Sequence, residues 1–210
     1  MFEPWVGENY GRSSLLGGKR ILVVGESHHS EEHPVNSVVP NLTCRVMEHY
    51  GSTQARGEWM RTLDNVAWAL SGKTRSDLAT SLHRGELSVW QSVAFYNYIP
   101  VVLTDSARSA RPTAMHYQMA VAPFEQVLRD IKPEVLIVCG YSLFPYLVRN
   151  HWPTDLAMPW DFSEDFLDVQ RDDQKIRCIR MLHPSSSFSH KRWHTVISNA
   201  VASFENPVGT

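Results

Sequence analysis

Short runs of consecutive aliphatic residues constrain the fold of this 210-residue chain more than any other feature. The run Ile21-Leu22-Val23-Val24 has no polar position, so it predicts a strand over residues 20–25 that is covered on both faces. Further strands are predicted at Val89 to Ile99, at Glu134 to Cys139 and at 176–182. Four buried strands of this kind are typical of a parallel sheet between layers of helices.

The segments between these strands have the length and apolar spacing of helices. Helices are predicted at 42–50, 57–70, 75–84, 113–131, 142–150 and 190–204, the one over 113–131 being kinked or split by Pro123. Residues 1–19 are expected to be an irregular lead-in, and 151–174 an acidic excursion. The fold class predicted is α/β: a three-layer α/β/α sandwich with a central, mainly parallel four-stranded sheet.

Length and composition predict a single domain over residues 1–210. No apolar stretch approaches the roughly 20 residues of a membrane span, and the N-terminus lacks the basic start and apolar run of a signal peptide. We therefore expect a cytoplasmic protein, monomeric and without a membrane partner. Three widely spaced cysteines exclude an iron–sulfur cluster with four cysteine ligands.

The net charge of −2 does not indicate a nucleic-acid-binding protein, but the charges are unevenly distributed. Residues 155–173 contain seven acids and one arginine. The remainder is correspondingly basic, and a local rim of cations matters more for phosphate binding than net charge does. Its candidate members are Arg56, Arg61, Arg75, Arg84, Arg108, Arg111, Lys191 and Arg192, although solvated surface charges explain them equally well.

Three polar motifs stand where predicted strands end. The first strand is followed by Gly25-Glu26-Ser27-His28-His29, the second contains Phe95-Tyr96-Asn97, and the last is followed by His183-Pro184-Ser185. In an open α/β sheet, ligands bind outside the carboxyl ends of the strands. The motifs are therefore predicted to meet over one pocket, although most of the chain separates the first from the last.

Together with the strand that ends at Cys139-Gly140, these motifs resemble the uracil-DNA glycosylase superfamily in order and spacing over roughly residues 20–204. The chain is most similar to a group of uncharacterised bacterial members that combine Gly-Glu-Ser-His with Arg-Pro-Thr and His-Pro-Ser. Each motif is short, and their conjunction is what is specific. The resemblance implies a DNA glycosylase that flips a base out of DNA and hydrolyses its N-glycosidic bond.

Breaking that bond develops positive charge on the sugar and negative charge on the departing pyrimidine. Glu26 is the candidate carboxylate that stabilises the cation and orients water, and His183 is the candidate donor to the base oxygen. The amide of Asn97 can read a Watson–Crick edge, because it has both donors and an acceptor. A loop-capping role for Glu26, a structural role for His183 and a turn bond for Asn97 are the alternatives.

The remaining candidate residues surround these three. The base-binding set is completed by Ser27, His28, His29 and Phe95. Contacts to DNA are predicted for Ser185, Ser187, Phe188, Ser189, Lys191 and Arg111, with Phe188 as a wedge that fills the place of the extruded base. As a lone aromatic residue, Phe188 fits a core position equally well. No lysine lies in the motifs, so water is the expected nucleophile, without strand cleavage, and no cofactor or metal is implied.

The first motif departs from the family pattern, in which an Asp or Asn stands at the third position and a Tyr screens out pyrimidines substituted at C5. Here Ser27 and His29 occupy these positions, which shifts the catalytic role to Glu26 or a histidine and gives the pocket a more polar wall. The expected substrate is therefore DNA containing a modified pyrimidine with a polar C5 substituent, as in some phage genomes. Excision of such a base would serve antiphage defence.

Three other functions fit part of the pattern. An esterase of the SGNH type would use Ser27 as nucleophile and His183 as base, but Arg180 stands where its acid is required. The loop residues His28, His29, Glu31, Glu32 and His33 are crowded enough to suggest a metal, although their spacing is not that of a helical metal site. A non-catalytic nucleic-acid or nucleobase-binding protein of the same fold is the third alternative.

Overall fold

The computed structural model describes residues 1–53, 57–78, 85–104, 111–152 and 165–204. Its strands are β1 (Trp5–Val6), β2 (Ile21–Gly25), β3 (His28–His29), β4 (Ala94–Asn97), β5 (Val102–Thr104), β6 (Val135–Cys139), β7 (Phe166–Arg171) and β8 (Gln174–Met181). Its helices are α1 (Leu42–Ser52), α2 (Met60–Ser71), α3 (Arg75–Leu78), α4 (Gly85–Trp90), α5 (Ala114–Met119), α6 (Val121–Ile131), α7 (Leu143–His151) and α8 (His190–Ala202), with a 3-10 turn at Leu15–Gly18.

Six strands form the main sheet, in the order β1-β4-β2-β6-β8-β7. The inner four, β4, β2, β6 and β8, are parallel, and the two edge strands are antiparallel to their neighbours. The chain passes from β2 outward to β4 and then back across β2 to β6. The direction of winding therefore reverses between β2 and β6, which makes the crevice at their carboxyl ends the expected ligand site of such a sheet.

Two apolar cores cover the two faces of this sheet. Alternate strand residues such as Leu22 and Leu136 belong to one core, together with residues of α5, α6 and α7. Their neighbours Val23 and Ile137 belong to the other, with residues of α2, α4 and α8. Because both faces of the inner strands are buried under helices, the two central strands, β2 and β6, are apolar at every position.

The mixed α/β class and the mainly parallel sheet are confirmed, but the predicted count of four strands is wrong, because the main sheet has six. The predicted four correspond to the inner parallel strands. The second of them is shorter than expected, since Gly85–Trp90 is helical and only Ala94–Asn97 is extended. The helix over 113–131 is split at Ala120, before Pro123, which lies in the first turn of α6 where a missing N–H costs nothing.

Two short segments expected to lack regular structure also form strands. Trp5–Val6 pairs with β4 in the supposed lead-in, and Phe166–Arg171 pairs with β8 in the supposed acidic excursion. In the second case a hairpin turn at Asp172, with φ at +50°, explains part of the acidic composition. Residues 79–84 and 153–164, which belonged to the predicted third helix and to the excursion, lie outside the described residues.

Among the described residues, no helix has both the length and the apolar character needed to cross a membrane.

Candidate active site

The carboxyl ends of the inner strands bring the three sequence motifs to one edge of the sheet. Gly25 lies beside Asn97 in the register of β2 and β4, and the ends of β6 and β8 are paired in the same way. The segment after β2 contains Glu26, and the segment after β8 contains His183. These side chains therefore leave the sheet at the same edge, at the ends of two strands that are separated only by β6.

Glu26 is held by one of its two carboxylate oxygens. The hydroxyl of Tyr117 on α5 donates to Glu26 Oε1 at 2.7 Å, and Ser142 Oγ, just before α7, lies 3.5 Å from the same atom. Its backbone carbonyl accepts from the N–H of Ile99 at 2.9 Å, which fixes the loop. Burial and the carboxylate of Glu26 raise the pKa of Tyr117 above its ordinary value, so this hydroxyl keeps its proton as the donor.

His183 is neutral, and its proton is directed away from its own loop. The backbone N–H of Ser185 donates to His183 Nδ1 at 3.3 Å, and Ser185 Oγ lies 2.7 Å from the same nitrogen. A backbone N–H can only donate, so Nδ1 is an acceptor and the ring proton is on Nε2. Burial lowers the pKa of His183; Glu26 raises it, and Arg111 and His29 lower it further.

These opposing effects show that Glu26, Arg111 and His29 all lie within electrostatic range of His183. Arg111 is exposed, and its cation also lowers the pKa of Tyr117 against the larger effect of burial. A carboxylate, a neutral imidazole donor and a guanidinium therefore share one site. Such a set can stabilise a cation at one point and an anion at another.

Asn97 is buried against the first motif. Asn97 Nδ2 donates to His28 Nε2 at 3.0 Å, and Thr43 Oγ1 on α1 lies 2.8 Å from the same nitrogen. On the other side, a Cβ atom at Gly25 would lie 2.2 Å from Asn97 Oδ1, so only glycine fits beside this amide. One amide N–H is thus used within the protein, and the amide is locked between β2 and the loop that follows it.

His28 is buried and contacts Phe2 edge-on, with 4.8 Å between ring centroids. Burial, with a smaller effect of His29, lowers its pKa from 6.5 to about 3. The unfolded chain therefore takes up a proton below pH 6.5 that the folded protein does not, and stability is lost as the pH falls from 6.5 toward 3.

We expect His28→Gln to reduce this loss of stability at acid pH, because glutamine does not titrate and its side-chain oxygen can accept a hydrogen bond from Asn97. Between pH 6.5 and pH 4.5 the free energy of unfolding of the parent should fall by about 2 kcal/mol more than that of the variant. Urea titrations at several pH values measure the difference. His49→Gln, at an exposed histidine of α1, is the matched control; equal slopes for parent and His28→Gln would contradict the prediction.

Ser27 and His29 form a separate polar pair. Ser27 Oγ lies 3.3 Å from His29 Nε2, both side chains are half-buried, and burial lowers the pKa of His29 while Glu26 raises it. The partner of Ser27 is thus His29, and the partner of His183 is Ser185. These bonds do not support a Ser27–His183 pair of the esterase type.

Phe95 packs into the core rather than standing free over the site. It is 7% exposed and contacts Trp90 at 5.4 Å between centroids, with its ring edge close to Gly25.

Within the described parts of the chain, no group of three or more His, Cys, Asp or Glu side chains is arranged to hold a metal ion.

The loop after β8 is bound to α2 through one backbone carbonyl, and several of its side chains are exposed to solvent. Asn65 of α2 donates from Nδ2 to the carbonyl of Pro184 at 2.8 Å, and Asn65 is itself buried. Phe188 is half-buried and stacks on Trp193, with 6.3 Å between centroids and 17° between the ring planes. The other predicted DNA contacts are exposed: Ser185, Ser187, Lys191 and Ser189, the last of which caps α8 by accepting from the N–H of Arg192.

The predicted basic rim is described only in part. Arg56, Arg84 and Arg108 lie outside the described residues. Arg111, Lys191 and Arg192 are exposed, so they are free of the core and available to an anion.

Three residues of the site were not found from the sequence: Tyr117, Ser142 and Asn65. Each lies in or beside a helix far from the motif that it contacts. Ser142 alone had a signal, since it directly follows Gly140-Tyr141 at the end of a predicted strand.

No protein-family model and no curated protein matches the sequence. The resemblance to the uracil-DNA glycosylase superfamily therefore depends on the motifs and on their spacing.

Proposed function

We propose that the protein is a monofunctional DNA glycosylase of the uracil-DNA glycosylase superfamily that excises a modified pyrimidine. The observation that supports this most is the placement of Glu26 and a neutral His183 at the carboxyl ends of β2 and β8, on the same edge of the sheet. Base excision needs a negative group beside the sugar and a donor beside the base oxygen. The remaining oxygen of Glu26, Oε2, is the one that meets the sugar or the attacking water.

His183 would stabilise the departing base by donating from Nε2. Its neutral state is compatible with this role, because a neutral imidazole with its proton on Nε2 still donates one hydrogen bond. Ser185 supports the role by fixing the tautomer. After bond cleavage the negative charge on the base oxygen is stabilised by this hydrogen bond and by the nearby cation of Arg111.

The half-buried His29 supports a substrate with a polar group at C5. The pair of His29 and Ser27 supplies polar atoms that can bond a hydroxymethyl or glycosyl substituent, whereas the C5–H of uracil has no hydrogen-bonding group. The substrate class proposed is therefore DNA with C5-substituted cytosine or uracil, including hypermodified phage DNA, with antiphage defence as the biological role.

The test is release of free base, and formation of alkali-sensitive abasic sites, from a panel of DNAs. The panel contains uracil, thymine mismatches, 5-hydroxymethylcytosine and glucosylated phage DNA. Release from the C5-substituted members supports the proposal. Rapid excision of uracil, with no release from the C5-substituted DNA, would overturn the proposed substrate class. No base release from any member of the panel, with DNA still bound, would favour a non-catalytic binding protein.

Tyr117→Phe is expected to lower kcat about 10-fold or more with little change in KM. The variant removes the hydroxyl that orients Glu26 Oε1 and keeps the ring, and a hydrogen bond to a charged group contributes about 1.5–3 kcal/mol. Steady-state kinetics on the active member of the panel measure the change. Tyr146→Phe is the control, because its ring stacks on that of Tyr117 at 3.9 Å and 4° and it loses a hydroxyl elsewhere; equal kcat in both variants would contradict the prediction.

A further inference from the structure

An exposed tyrosine lies between the two halves of the candidate site. Tyr141 directly follows Gly140 at the end of β6 and directly precedes Ser142, which approaches Glu26. A Cβ atom at Gly140 would lie 4.0 Å from the ring of His183, so the same short segment also borders the His-Pro-Ser loop. Tyr141 is nevertheless 41% exposed, which leaves much of its aromatic surface to solvent.

The ring of Tyr141 is held in place from within the protein. The guanidinium of Arg180, a residue buried on β8, lies 4.5 Å from the ring centroid, and Trp193 of α8 meets the ring edge-on at 6.4 Å. Trp193 in turn stacks on Phe188. A ring fixed in this way loses little conformational freedom when a planar ligand stacks on it.

Exposed cations lie beside this group of rings, of which Tyr141 is exposed, Phe188 is half-buried and Trp193 is buried. Lys191 and Arg192 are in the first turn of α8, where positive charges oppose the helix dipole and where the helix itself has no acidic residue. The Arg192 guanidinium lies 5.5 Å from the ring centroid of Trp193. Aromatic rings interleaved with cations are the typical surface for unpaired nucleotides, whose bases stack while their phosphates meet the cations.

We propose that Tyr141 stacks with an unpaired nucleobase next to the excised one, so that single-stranded DNA is the preferred substrate. This inference depends on the proposed function for its position beside the reacting base. A paired base in a duplex is already covered on both faces by its neighbours, whereas an unpaired base has a face free for the ring. Lys191 and Arg192 then meet the phosphates that follow.

The test is fluorescence anisotropy with labelled oligothymidylate of about 12 nucleotides and a duplex of equal length. Tyr141→Ala should weaken binding of the single strand about 10- to 100-fold. Tyr141→Phe, which keeps the ring, should bind like the parent. Trp59→Ala is the second control, because Trp59 is 43% exposed but stacks on His49 at the far end of α1 from His28.

The outcomes separate this inference from the proposed function. Unchanged single-strand binding by Tyr141→Ala, or an equal loss of affinity in Tyr141→Phe, would overturn the stacking role. Neither result would contradict the proposed base excision. A parent that binds duplex more tightly than the single strand would overturn the strand preference, and one that binds neither DNA would overturn both proposals. Loss of single-strand binding in Tyr141→Ala, but not in Tyr141→Phe or Trp59→Ala, supports the stacking role whether or not a base is released from the panel.

Discussion

Glu26→Gln is expected to lower the rate of base release by about 10²- to 10⁴-fold, the range over which a positioned acid or base contributes to catalysis. Glutamine has the shape of glutamate and still accepts from Tyr117 through its oxygen. What it lacks is the negative charge that stabilises the developing sugar cation and orients water. The loss should therefore fall on kcat, and affinity for DNA should not decrease, since a negative charge near phosphates is removed.

Single-turnover base release and DNA binding, measured on the same preparations, check this expectation. Glu31→Gln is the matched control, because it removes an exposed acid from the same loop. Full activity in Glu26→Gln would remove Glu26 from the mechanism and leave a histidine as the group that activates water. Loss of activity in both variants would point to the charge of the loop as a whole.

The double variant Glu26→Gln/Tyr117→Phe tests how the two residues are related. Tyr117 acts on the reaction through Glu26, so its hydroxyl should matter little once the carboxylate is gone. The double variant is therefore expected to match Glu26→Gln, and the two effects should not add. Additive losses would mean that Tyr117 contacts the substrate itself.

The inner strands could be predicted because their signal lies in consecutive residues of the sequence. Strands buried on both faces are mostly apolar, and an uninterrupted aliphatic run such as Ile21–Val24 is recognisable in any single sequence. Edge strands lack that signal. Trp5–Val6 is only two residues long, and Phe166–Arg171 has a single fully buried position, so both were recognisable only from the partners that they pair with in space.

The candidate site likewise has a part that could be predicted from the sequence and a part that could not. Glu26, Asn97 and His183 follow strands, and parallel strands necessarily end at the same edge of the sheet, so their convergence could be predicted. The residues that orient them could not. Tyr117 reaches Glu26 from a helix that is 91 positions away in the sequence, and Asn65 reaches Pro184 over 119 positions. Nothing in a helical pattern indicates which of its polar groups turns toward a loop.

Asp168→Asn is expected to destabilise the fold by about 2–4 kcal/mol, because it leaves the charge of Arg177 buried without its counter-ion. Arg177 on β8 is 5% exposed and binds both carboxylate oxygens of Asp168 on β7, at 2.6 and 2.7 Å. It also donates to the carbonyl of Ala200 and to Ser203 Oγ at the end of α8. One ion pair thus ties the edge hairpin to the last helix, and we expect Tm to fall by roughly 4–16 °C.

The pH dependence of this loss identifies its cause. Burial disfavours the ionised form of Asp168, but hydrogen bonds from Arg177 and Lys175 outweigh it and hold the pKa of Asp168 below its usual value. The stabilisation is therefore present above the unfolded pKa of about 3.9 and is lost as the pH falls through the folded pKa. The Tm difference between parent and Asp168→Asn should be full at pH 7 and shrink below about pH 4. Asp173→Asn, at an exposed acid in the adjoining turn, should show no such difference, and a gap that persists unchanged in acid would assign the loss to packing instead of charge.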